Sequence, residues 1–240
     1  MNIRRSFFSV IVFALYVQLL VVGHCDAQIV FDNTTELSSA TNFGPGCCLS
    51  GTEVSIDEPT TLSEIEWLLD GQSLGVSDAE IQMAIHANDG PDGAPSTQLW
   101  DQTFSNLVIA PEQNLQSFAI PNIQVGQNFT VTARVLSSTP IATGFAISSS
   151  TDIGTVVNQW MLSVDGDWGT TSFSQRAFRI TGAPVILGDI NRDGVVDFFD
   201  IAPFIAILTS GDFQVEADFD KNEVISFGDL NPFIKALQAG

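Results

Sequence analysis

Oxygen-bearing residues recur at a fixed spacing near the end of this 240-residue chain. With Asp189 as position 1, Asn191, Asp193, Asp197 and Asp200 fall at positions 3, 5, 9 and 12, and the Val195 carbonyl falls at 7. With Asp218 as position 1, Asp220, Asn222, Ser226 and Asp229 fall at the same places, with the Val224 carbonyl at 7. The two registers lie 29 residues apart (218 minus 189). Every donor is a hard oxygen. Ca²⁺ takes about six to eight of them, and positions 1, 3, 5, 7, 9 and 12 are where a twelve-residue loop presents them to one ion, position 9 often through water. The chemistry this predicts is the binding of two Ca²⁺ ions.

The repeat extends beyond the ligands. Ile201-Ala202-Pro203-Phe204-Ile205 matches Leu230-Asn231-Pro232-Phe233-Ile234, Leu208 matches Leu237, and Gly211 matches Gly240. An acidic turn without a metal scatters its acids; two registers in phase with their apolar tails are hard to obtain by chance. The copies are unequal at position 6, a sharp turn that favours glycine. Gly194 stands there in the first and Glu223 in the second, so the first loop is expected to bind more tightly. Position 12 is Asp rather than the longer Glu, which demands a closer helix. Val196 and Ile225, at position 8, are placed to join the loops by a short apolar β-contact.

Each loop needs a helix after it. Asp200 and Asp229 are expected to serve as ligand and helix N-cap together, with Pro203 and Pro232 in the first turn, where a missing N–H costs nothing. Phe204, Ile205 and Leu208 of one helix are expected to pack on Phe233, Ile234 and Leu237 of the other. No helix is expected before either loop: Ala183 to Gly188 is extended and apolar, and the approach to Asp218 is too short. Residues 186–240 carry ten acids and three bases, a charge of −7, so the unit is expected to loosen without its cations.

Two calcium loop–helix units in tandem, from about Gly188 to Gly240, resemble the type I dockerin family, whose loops are of the EF-hand kind without the entering helix. The resemblance implies calcium-dependent folding and docking to a cohesin-like or other surface protein, as in assemblies that gather polysaccharide-degrading enzymes. Dockerins place their recognition residues at loop positions 10 and 11, often hydroxyl side chains. Here those positions hold Phe198-Phe199 and Phe227-Gly228. Phe198 and Phe227 correspond and are expected in the small core; Phe199 has no counterpart and is the candidate partner contact.

The longer segment before this unit alternates with a period of two. Ile65, Trp67 and Leu69 share one face, as do Ile81, Met83 and Ile85, and Phe129, Val131, Ala133 and Val135. Shorter runs occur at Val54–Ile56, Leu115–Ile120, Phe145–Ile147, Trp160–Val164 and Phe178–Ile180. Such runs mark half-buried strands, and turn clusters such as Asp70-Gly71, Asn88 to Gly93 and Asp165 to Asp167 separate them. The fold class predicted is mainly β: an antiparallel, jelly-roll-like β-sandwich over residues 28–183, followed by a small α-helical unit over 186–240. The phrases Asn88 to Pro95 and Leu99-Trp100-Asp101 look like those in β-sandwich domains of secreted bacterial proteins.

Catalytic signals in this segment are few. Asn88 to Gly93 reads as a turn. Trp67 and Trp160 are expected in the core, and Trp100 and Trp168 are the candidates for an exposed carbohydrate platform. His86 falls on the outward face of its strand, and any Ser-His-Asp triad would have to use it, since the other histidine lies in the leader. No Gly-x-Ser-x-Gly elbow is present and no pair of carboxylates stands out. No catalytic residue is assigned; the alternative to a docking protein is a carbohydrate-binding module or small glycoside hydrolase carried by the docking unit. Asn33-Thr34-Thr35 and Asn128-Phe129-Thr130 match the glycosylation triplet.

The N-terminus reads as a secretory signal over residues 1–27, with Arg4 and Arg5 before the apolar run Phe7 to Gly23 and a cleavage site at Cys25-Asp26-Ala27. An uncleaved membrane anchor is the alternative; His24 before Cys25 disfavours a lipoprotein. The chain holds 8 Lys+Arg and 28 Asp+Glu, a charge of −20; cleavage removes two bases and one acid, leaving 6 and 27, a charge of −21. Such a surface repels phosphate backbones and excludes nucleic acid as a partner. After cleavage only Cys47 and Cys48 remain, beside Gly44-Pro45-Gly46. Two readings stand for them: small buried residues in a turn, or a strained vicinal disulfide in an oxidising compartment. The expected location is secreted or at the cell surface.

Overall fold

Glu64 and Glu66 flank Ile65, and Ile65, Trp67 and Leu69 are fully buried while the two glutamates are not. That contrast is the pleat of a strand with one face on a core. A computed structural model describes residues 27–41, 49–139, 144–163, 165–172, 175–222 and 224–239. The expectations placed on the leader before Ala27, on Cys47 and Cys48, on Val164, on Glu223 and on Gly240 lie outside the described residues.

Among the described residues the strands are β1 (Gln28–Asp32), β2 (Leu37–Thr41), β3 (Ser50–Ser55), β4 (Thr60–Asp70), β5 (Val76–Ala87), β6 (Gln98–Ile109), β7 (Gln113–Val125), β8 (Asn128–Thr139), β9 (Gly144–Ser148), β10 (Thr155–Leu162), β11 (Trp168–Thr170), β12 (Gln175–Arg176) and β13 (Phe178–Pro184). The helices are α1 (Ile201–Ser210) and α2 (Phe227–Ala239). The fold is mainly β, and its sheets are antiparallel. One sheet runs β1-β13-β4-β9-β12, with β2 also paired to β9 and β7 to β4; the other runs β11-β10-β3-β8-β5-β6.

A single buried cluster draws on both sheets. Phe31, Leu62, Ile65, Trp67, Phe118, Phe145 and Phe178 come from the first, and Val54, Ile81, Met83, Ile85, Phe129 and Val131 from the second. Trp67 sits at its centre, tilted on Phe178 at 4.7 Å and edge-on to Phe145 at 5.1 Å. Trp160 is buried as expected. It lies outside this cluster, opposite Gly51, and donates through Nε1 to Glu53 Oε2 at 2.9 Å. Strand β6 had no period-two signal because it is an edge strand paired only to β5, and most of its side chains stay in water.

A second cluster lies beyond β13: Ile190, Phe204, Ile207, Ala217 and Phe233, with Leu208, Ile225, Leu230 and Leu237 half-buried around it. The expected packing of Ile205 on Ile234 is not present; both are exposed. Each follows its phenylalanine by one residue, a rotation of about 100° on a helix, which carries it off the buried stripe. Ile207, one turn from Phe204, takes the inward place instead. Among the described residues no α-helix enters either loop: a short 3₁₀ turn, Val215–Ala217, precedes Asp218. Helix α2 starts at Phe227, so Pro232 is its sixth residue rather than in its first turn, and supplies no N–H to the Gly228 carbonyl. No described helix is long and apolar enough to cross a membrane.

Candidate metal centre

The two loops repeat one hydrogen-bond pattern, position by position. At position 1, Asp189 Oδ1 accepts from the Asp193 N–H at 3.0 Å, and Asp218 Oδ1 from the Asn222 N–H at 3.2 Å. At position 5, Asp193 Oδ1 accepts from the Val195 N–H at 3.0 Å, and Asn222 Oδ1 from the Val224 N–H at 2.8 Å. At position 12 each aspartate bridges the loop with both oxygens. Asp200 accepts from the N–H of Asn191 (2.9 Å) and of Asp197 (2.8 Å). Asp229 accepts from the N–H of Asp220 (3.3 Å) and of Ser226 (2.9 Å). Asp200 and Asp229 are fully buried. At position 4 the backbone is left-handed in both, with φ +61° at Arg192 and +58° at Lys221.

The capping side chains stand three positions before the expected ones: Asp200 is the residue before α1, but its side chain makes no cap hydrogen bond there. Asp197 caps the turn Phe198–Asp200: its Oδ1 accepts from the Phe199 N–H at 2.7 Å while Asp200 accepts from the Asp197 N–H. Ser226 Oγ accepts from the Gly228 N–H at 3.0 Å at the start of α2. Position 9 therefore caps and position 12 bridges, because the helical turn begins at position 10. Val196 and Ile225 form no strand pair among the described residues.

Carboxylates crowd both loops. Asp218, Asp220 and Asp229 offer oxygens that all lie within 4.8 Å of one another. Two oxygens on opposite sides of one Ca²⁺, each about 2.4 Å away, are separated by about that distance. In the first loop burial pushes the Asp189 carboxyl above its ordinary pKa. The Gly194 and Asp193 N–H groups pull it back, and the Asp200 and Asp193 carboxylates push it further up. A divalent cation among these oxygens removes that repulsion. The second loop, not the first, holds the tight triad of carboxylates; its position 3 is Asp220 where the first has Asn191.

Beside the loops stand three phenylalanines, of which two overturn expectation. Phe198 is 81% exposed and Phe227 78%, not core. Position 10 opens the helical turn and faces out, while Phe204 and Phe233 fill the interior. Phe199, at 75%, is exposed as expected.

The β segment holds less. His86 lies on the outward side of β5, opposite Thr130 and Gln98, but is only 6% exposed because Trp168 packs edge-on against it at 5.8 Å. No hydrogen bond of good geometry reaches either ring nitrogen. Burial lowers its pKa, and the Ser96 backbone and the Asp101 carboxylate offset part of that. Trp100 is opposite Ile85, a core position, and packs half-buried beside Phe104. Trp100 and Trp168, the candidates for an exposed platform, are thus both half-buried. The turn at Asn88 to Gly93 closes as a turn: Asp89 accepts from the Thr97 N–H at 2.8 Å and from its hydroxyl at 2.5 Å.

No protein-family model matches this chain, and no curated protein sequence does.

Proposed function

We propose that residues 186–240 are a dockerin-like module that binds two Ca²⁺ ions and docks a protein partner, carried behind a jelly-roll-like β-sandwich in a secreted or cell-surface protein. One observation carries the reading: two loops 29 residues apart repeat the same side-chain-to-backbone hydrogen bonds at positions 1, 5, 9 and 12. Acidic turns that bind nothing have no reason to converge residue by residue. The ligands assigned are Asp189, Asn191, Asp193, Asp197 and Asp200 with the Val195 carbonyl, and Asp218, Asp220, Asn222, Ser226 and Asp229 with the Val224 carbonyl. The donor set is all oxygen, which suits Ca²⁺ rather than a thiolate- or imidazole-seeking metal. The core shared by both sheets supports the sandwich. The partner is a cohesin-like or other surface protein, and Phe199, with Phe198 and Phe227, forms the docking face: large apolar rings stay in water where a partner later covers them.

Calcium titration of the full chain by calorimetry tests the first half, with two binding events expected. Capture of exported proteins on the full chain, with calcium and with chelator, tests the second. A partner held only with calcium, and lost in Phe199→Ala, is the expected result. Absence of any calcium heat ends the reading. Capture that ignores both chelator and Phe199→Ala removes the docking role.

A further inference from the structure

Arg192 occupies position 4 of the first loop, between the assigned ligands Asn191 and Asp193, and its side chain leaves the loop. Nε donates to Glu216 Oε1 at 2.8 Å and Nη2 donates to Gln124 Oε1 at 2.7 Å. Gln124, on β7, donates through Nε2 to the same Glu216 oxygen. Glu216 is 3% exposed and lies just before the second loop. Its backbone carbonyl accepts from the Gly188 N–H at 2.8 Å, at the entrance to the first loop. Glu216 thus joins the sheet and the first loop through its carboxylate, and the entrance to that loop through its backbone carbonyl.

The arrangement has a physical reason. A carboxylate as buried as that of Glu216 needs a cation beside it. Arg192 is the cation paired with it among the described residues. Meeting that need fixes Arg192, whose left-handed backbone a residue with a side chain does not adopt freely. Lys221, the counterpart in the second loop, is exposed and makes no ion pair among the described residues. The loops share their internal geometry and differ in this anchor.

We propose that Gln124 and Glu216 are positioning residues of the first calcium loop, so that cation binding there and the seating of the C-terminal unit on β7 are one coupled equilibrium. The inference rests on the calcium reading above. A loop already held at position 4 presents positions 3 and 5 without the ordering cost that a free loop meets on binding. Coupling is reciprocal: if seating on β7 tightens the ion, the ion tightens the seating by the same factor.

The test uses the full chain and calcium alone. Calorimetry on wild type, Gln124→Ala and Glu216→Gln is paired with limited proteolysis of the connector 184–188. Asp189→Ala identifies which binding event belongs to the first loop. In Gln124→Ala that event is expected to weaken about tenfold, within the range of ordinary coupling energies, while the other keeps its affinity. Calcium is expected to protect the connector in wild type and much less in both variants. Gln124 is half-buried on the sheet and outside both loops, so loss of loop structure is not the expected cause; circular dichroism of Gln124→Ala matching wild type checks this. Wild-type affinity at both sites in Gln124→Ala and Glu216→Gln overturns the coupling and leaves the calcium reading standing. A wild-type chain that binds no calcium overturns both.

Discussion

The rings of Phe204 and Phe233 stack with centroids 4.3 Å apart and planes 13° from parallel, and each is the fourth residue after the position-12 aspartate of its own loop. The pair is the point where the two loop–helix units meet. A shift of either aspartate therefore shifts a ring in the shared core, and on the proposed calcium reading this is the route by which metal loading would act on folding.

Removing one ring should cost about 3–5 kcal/mol, the usual loss for a buried aromatic cut to alanine. That is about all that the packing of so small a core supplies. Phe204→Ala is expected to leave the β segment folded and residues 186–239 open to protease even with calcium. Wild-type protease resistance in Phe204→Ala would show that the stack is not the joint.

The first loop is expected to be the tighter of the two sites. It has four aspartate ligands against three and Gly194, at φ +91°, in the sharp turn where the second has Glu223. Asp189→Ala should abolish the high-affinity heat in calorimetry, and Asp218→Ala the weaker one. The closer triad of Asp218, Asp220 and Asp229 argues the other way. An Asp218→Ala chain that loses its tight site would reverse the order.

Acid should weaken the packing of Trp168 on His86. Burial lowers the His86 pKa below its ordinary 6.5, so as pH falls through 6.5 the unfolded chain takes up the proton first. Stability contributed by neutral His86 is thus full above pH 6.5 and declines below it, until the folded imidazole also protonates. Denaturation midpoints at pH 7.5 and pH 5.5, compared between wild type and His86→Gln, isolate this part from the carboxylates. Equal pH dependence in both would mean His86 contributes none.

Asn33 is fully buried, its Nδ2 donating to the Arg176 carbonyl at 2.9 Å and its Oδ1 accepting from the Phe178 N–H at 2.8 Å. It joins the strand end of β1 to β12 and β13. Asn33→Ala leaves two buried backbone groups without partners, at about 1–3 kcal/mol each. A fall of that order in the unfolding free energy from urea denaturation is expected, with no change in calcium affinity. The glycosylation triplet at Asn33 is therefore a structural asparagine, whereas Asn128 is exposed.

What the chain alone determined is whatever depends on near neighbours. The repeated hydrogen-bond register of both loops, the absence of an entering helix and the inward faces of β4, β5 and β8 were legible because each rests on separations of two to twelve residues, which backbone geometry sets directly. Edge strand β6 was not, since pairing rather than its own side chains holds it. The tertiary structure decided everything that joins distant residues: Gln124 to Glu216 across 92 positions, Asn33 to Arg176 across 143, Trp168 over His86. It placed Phe198 and Phe227 in water, although both are apolar and in register, because Phe204, Ile207 and Phe233 already fill the one small interior. A side chain's own chemistry says that it prefers burial; only the packed neighbours say whether a buried place is left.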